Sequence, residues 1–165
     1  MRIGLHHKIG KKISSELKEL GCYVNERLFL LGNIFPDLCQ SYLWRRHEHL
    51  HSRNFIHKKI EMLKKRPKLF SFHLGVLAHY ICDYFCYPHS SVYSENMLQH
   101  ILYELRQKIP KDIFKLNFNI KSFAIEELDK FVDCYEEIRP LFMDDEYDFQ
   151  MAAHVSLGFI QAAYL

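Results

Sequence analysis

The sequence predicts an all-α domain, and three observations carry that prediction. Apolar residues recur at helical spacing along nearly the whole chain, no stretch alternates with a strand's period of two, and only 6 glycines and 5 prolines break the pattern. With 165 residues, of which 48% are apolar and 15% aromatic, there is enough material for one buried core, so 1–165 is read as a single domain. No internal repeat, low-complexity tract or linker divides it.

The first helix is expected over His6 to Leu20, with Ile9, Ile13, Leu17 and Leu20 as its apolar stripe and Gly21 as its stop. His6 falls on that stripe, and His7 sits with Lys11 and Lys18. The apolar run Leu28 to Leu31 leads into Gly32-Asn33-Ile34-Phe35-Pro36-Asp37, where Pro36 biases Phe35 toward extended backbone and should place Asp37 just after a bend. After a polar interval, Trp44 to Asn54, a helix is expected through Phe55, Ile60 and Leu63, broken by Pro67. The stretch from Leu69 to Tyr87 is apolar almost all round, as a helix at the centre of a bundle is, and Pro88 ends it. Gly75, one turn before His79, is expected to leave room over the face that His79 occupies. A helix from Ser94 to Lys108 carries the stripe Met97, Ile101, Leu105 and Ile109 and closes at Pro110. Two more, Lys121 to Ile138 and Phe149 to Leu165, are separated by Pro140 and Asp144-Asp145-Glu146 and read as scaffold.

Eleven histidines are the compositional outlier. His79-x3-Asp83-x5-His89 followed by His100-x3-Glu104 places five metal-ligand side chains in two clusters, and residues four apart share a helix face. A buried His and Asp in a central helix cost several kcal/mol unless both are satisfied, roughly the penalty for burying polar groups, and a metal satisfies both at once. Imidazole with carboxylate suits zinc, Asp83 or Glu104 has two oxygens with which to bridge ions, and a site without a full set of thiolates keeps a position for water. Single histidines on apolar faces are more often hydrogen-bonded core residues. Several in step point to metal. Cys82 and Cys86, each three residues after His79 and Asp83, read first as small core thiols. His49, His57, His73 and His154 read as surface or packing residues.

His79-Tyr80-Ile81-Cys82-Asp83 through Pro88-His89, followed by His100 and Glu104, resembles the bacterial zinc-dependent phospholipase C family, relatives of the S1/P1 nucleases. The resemblance implies an all-α fold holding two or three zinc ions and a zinc-activated water that hydrolyses a phosphodiester, either a phospholipid headgroup or another small phosphodiester. It implies His79 and Asp83 as ligands at one end of the cluster, with Asp83 bridging, and His89, His100 and Glu104 around another ion. It also implies Asp37 as ligand or general base, His51 as a ligand with His47 one turn earlier competing for the place, and His6 in preference to His7. The exported enzymes use the amine and carbonyl of an N-terminal tryptophan, absent here, so a third ion needs the Met1 amine, another donor or more water.

Charge and composition bound the partners. The 22 basic and 20 acidic side chains are interspersed, so no stable nucleic acid complex is expected, and a nuclease on this scaffold is the weaker alternative. A zinc-stabilised structural or binding protein without turnover is the other. The opening Met1-Arg2-Ile3-Gly4-Leu5-His6 shows neither a secretory signal nor an anchor, and no segment is apolar enough to span a membrane. Five cysteines, Cys22, Cys39, Cys82, Cys86 and Cys134, include no CxxC pair. Reduced thiols and a cytoplasmic location are expected. Sequence leaves the oligomeric state open.

Overall fold

The structure, a computed structural model, describes residues 1–39, 48–93, 96–115, 119–141 and 145–164. Every regular element among them is helical: α1 Ile3–Glu19, α2 Glu26–Leu38, α3 His49–Lys64, α4 Phe70–Tyr84, α5 Met97–Arg106, α6 Ile125–Ile138 and α7 Asp145–Ala162, with short 3₁₀ turns at Tyr87–His89 and Arg139–Leu141.

Local chemistry sets several of the ends. Gly21 stops α1 with φ of +77°, and the amides of Gly21 and Cys22 return to the carbonyls of Lys18 and Leu17. The chain turns away there, so Leu20 is exposed and is not part of the buried stripe, which consists of Leu5, His6, Ile9, Ile13 and Leu17. Asn25 caps α2 by accepting from the Leu28 amide, and Asn96 with Gln99 forms a reciprocal capping box at α5. α3 begins at His49, so the second half of the expected polar interval is its first turns. Trp44 to His47 lie outside the described residues.

Helix α4 is the hub. It packs against α1, α2, α3 and α7, and all but three of its side chains are buried, as its all-round apolarity requires. Its tightest neighbour is α2, and two glycines permit the approach. A Cβ at Gly75 would overlap the Phe29 carbonyl oxygen, and one at Gly32 would overlap that of Phe72. Gly75 therefore admits the backbone of α2 and does not leave space for an ion.

The expected bend at Pro36 is absent. α2 runs through Pro36 to Leu38. A proline four residues past Gly32 withholds one amide donor and crowds that carbonyl, and Phe35 must accept helical backbone that its position before proline disfavours. Packing of α2 along α4 outweighs both terms. Asp37 therefore projects from the last turn of a helix rather than from a loop.

Candidate metal centre

The site is assembled where the C-terminal half of α4 faces α1, the end of α2 and α5. His79 and Asp83, four residues apart, lie on one face of α4 and are 0% and 1% exposed, with His79 Nε2 3.3 Å from Asp83 Oδ2. His79 Nδ1 lies 2.9 Å from the Asn33 carbonyl, which as an acceptor fixes Nδ1 as the protonated nitrogen and turns a bare Nε2 toward the cluster. The close α2–α4 contact delivers that carbonyl. From α1, the buried ring of His6 stacks on His79 at 4.0 Å between centroids.

Asp37 completes a first group. His6, Asp37 and His79 each offer a ligand atom, and these atoms all lie within 4.8 Å of one another. His6 Nε2 is 3.2 Å from Asp83 Oδ1, yet neither of its ring nitrogens makes an aligned hydrogen bond. A fully buried imidazole left in that state normally carries a large penalty. A cation at Nε2 would satisfy one of the two nitrogens.

A second group, Cys86, His89 and Glu104, meets the same 4.8 Å criterion. His89 Nε2 and His100 Nε2 approach Glu104 Oε1 at 3.6 and 3.3 Å. The Met1 amine sits between the two carboxylates, 2.9 Å from Asp83 Oδ1 and 3.0 Å from Glu104 Oε1, and 3.0 Å from His89 Nε2. A groove lined by Met1, Arg2, Ile3, Asp37, Leu38, Asp83, His89 and Glu104 opens over both groups.

The electrostatics put the donors in the form that a metal takes. Burial lowers His6 to about 3, so the imidazole is neutral. Burial and the adjacent Met1 ammonium lower His89 as well. Burial would raise Asp83 and Glu104, but the Met1 ammonium and the imidazoles around them outweigh it, leaving Asp83 well below the carboxylate range and Glu104 at about 2. Neutral imidazoles beside ionised carboxylates fit zinc. Burial pushes the Cys86 thiol up to about 12, which favours the neutral core thiol expected of it, although a bound cation would favour its thiolate.

The structure thus brings together His6, Asp37, His79, Asp83, His89, His100 and Glu104. His6 points inward and His7 outward. It does not bring in His51, which lies in the first turn of α3 with a side chain 45% exposed and Nδ1 2.7 Å from Glu48 Oε2. The rotation of α3 explains this: Ser52 and Ile56 face the core, and His51 falls on the outer side. His47 lies outside the described residues. His49 is spent on Asp129, 2.7 Å away. The Asn33 carbonyl and the closeness of Cys86 to His89 and Glu104 had no sequence signal beyond position.

Residues 5–138 match the family model for zinc-dependent phospholipase C. The chain belongs to that family. The match spans α1 to α6, including every residue of the two groups, and family membership brings zinc dependence and a phospholipase C-like hydrolase class. Searches of curated proteins and of solved structures gave no match. Among the described residues, no helix of this zinc-dependent phospholipase C family member is long and apolar enough to cross a membrane.

Proposed function

We propose that this chain hydrolyses a phosphodiester, with the headgroup ester of a phospholipid as the favoured substrate, using two or three zinc ions held by the residues above. The observation that carries the reading is the convergence of His6, Asp37 and His79 on one point, beside a second point shared by His89 and Glu104. His6, Asp37 and His79 hold one ion. His89, His100 and Glu104 hold another, and Asp83, with one oxygen toward His6 and the other toward His79, stands between. When bound, zinc lowers the pKa of a water and neutralises charge on phosphoryl oxygens.

The chain's own groups do the rest. Asp37, 22% exposed at the groove, is placed to orient the attacking water and accept its proton, while His79 is held at a fixed tautomer by Asn33. The groove is open above the carboxylates, which supports turnover over a purely structural zinc site. No disulfide joins any of the five cysteines, all of which lie among the described residues, and this supports a reducing, cytoplasmic setting.

The test is zinc content per chain on protein purified without added metal, together with hydrolysis of a chromogenic phosphodiester before and after chelation and zinc restoration. Two or three ions with chelator-sensitive, zinc-restored turnover support the reading. Bound zinc without turnover on soluble or phospholipid substrates would return it to a structural role.

A further inference from the structure

Helix α5 carries an apolar stripe on its outer face. Leu98, Ile101, Leu102 and Leu105 follow the i, i+3, i+4, i+7 spacing of one helix face and are 65%, 47%, 46% and 57% exposed. The side turned toward the protein holds Tyr103, which is 8% exposed, and the site residues His100 and Glu104. This reverses the ordinary arrangement, in which the apolar stripe of a short helix is its buried side. Two further apolar side chains, Ile3 at 39% and Leu38 at 60% exposure, line the groove over the metal site itself.

The same end of the molecule is cationic. A second groove, between α1 and the segment that leaves α5, is lined by Arg2, Lys8, Lys11, Lys12, Lys108 and Lys111, with no acidic residue among its walls. Arg2 belongs to both grooves, and its Nη2 lies 3.4 Å from the carbonyls of Leu105 and Gln107, joining the basic groove to the end of α5. An exposed apolar face continuous with a basic groove is the pairing that seats a protein on an anionic bilayer, apolar side chains entering the acyl boundary and lysines meeting the headgroups.

We propose that α5 and the adjoining basic groove form a docking surface for an anionic lipid bilayer, one that sets the mouth of the metal site against the membrane. The proposal rests on the phospholipid reading above for its purpose, but its occupant is argued from the charge and apolarity of this surface alone.

The experiment is co-sedimentation of the zinc-loaded protein with vesicles of phosphatidylcholine alone and of phosphatidylcholine mixed equally with phosphatidylglycerol. Parallel assays follow hydrolysis of a soluble phosphodiester and mass in solution. The expected result is binding to the mixed vesicles that weakens as salt rises, and that falls at least about tenfold in the double variant Leu98→Ser with Leu102→Ser. Lys8→Glu with Lys108→Glu should remove the preference for anionic vesicles. Because all four side chains are exposed, both variants should keep the wild-type melting temperature, zinc content and rate on the soluble substrate. Absence of binding by the wild type, or equal binding by the leucine variant, overturns the proposal. So does a wild-type dimer that becomes monomeric in the leucine variant, since the stripe would then belong to a second copy. An inactive protein that still binds vesicles in this pattern would sink the catalytic reading and leave the docking surface standing.

Discussion

At the scale of single residues, Asp83 and Asp37 separate binding from turnover. Asp83 is buried and lies against the Met1 amine, His6 and His79 at once. Removing one partner from a buried charge cluster costs roughly 3–5 kcal/mol. Asp83→Ala should therefore lose that stability in the metal-free protein and lose zinc as well, read by thermal unfolding and by metal content on the same sample. Asp37 is at the groove and partly exposed, and His6, His79 and Asp83 remain around its ion without it, so Asp37→Ala should keep most of the zinc and fold normally while turnover falls by about a hundredfold or more, the scale of a lost general base. Full activity in that variant would remove Asp37 from its assigned role. His51→Ala, by contrast, changes an exposed side chain whose Nδ1 faces Glu48. Its zinc content and rate should match wild type, and a lost ion would bring His51 back as a ligand.

At the scale of elements, two attachments decide whether the donors meet. Asp37 rides on α2 while His79 and Asp83 ride on α4, so the α2–α4 spacing sets the distance between them. Gly75→Ala places a methyl group against the Phe29 carbonyl oxygen. The helices must part, at an overpacking cost of about 3 kcal/mol or more. Zinc affinity should fall with stability, and a normal melting temperature with normal zinc affinity would contradict the close approach. The other attachment is that of α5. Its Tyr103 hydroxyl donates to Asp148, a fully buried carboxylate that also accepts from Tyr135 and Arg139. The scaffold segments of α6 and α7 thus hold the helix that carries His100 and Glu104. Tyr103→Phe removes one hydrogen bond to a charged group, roughly 1.5–3 kcal/mol. Its specific mark should be faster amide exchange across 97–106 than across α4, and uniform acceleration through both helices would argue against a local anchor.

At the scale of the whole molecule, metal and stability are linked. The donors come from α1, α2, α4, the 3₁₀ turn after it and α5, so an ion held among them ties together elements far apart in sequence, and the unfolded chain offers no such arrangement. Zinc at a hundredfold over its dissociation constant adds about 2.7 kcal/mol. For a domain of this size that is a rise in Tm of roughly 5–10 °C over chelated protein. Thermal scans with zinc and with chelator measure it, and identical transitions would exclude tight binding at a preformed site.

The sequence by itself determined the class of fold and singled out most of the candidate donors, because both are matters of local spacing. Helical period and scarce glycine and proline require helices, and His79 with Asp83 or His100 with Glu104 share a face in any α-helix. What it misjudged were the places where a partner segment overrides a local preference. Pro36 reads as a bend in isolation, yet α2 continues through it against α4. Gly75 reads as room over the face of His79, yet it admits a backbone. Of the stripe expected on α5, Ile101 and Leu105 are turned to solvent because Tyr103, His100 and Glu104 take the inner side, while Ile109, beyond the helix, packs against the core. His51 reads as a ligand, and the rotation of α3 turns it outward. Basic side chains are interspersed along the sequence, and the tertiary structure sets Lys8, Lys11, Lys12, Lys108 and Lys111 along one groove. Spacing along one helix is fixed by the geometry of the backbone, whereas the face a helix turns inward and the neighbour it meets are fixed by packing summed over the whole chain.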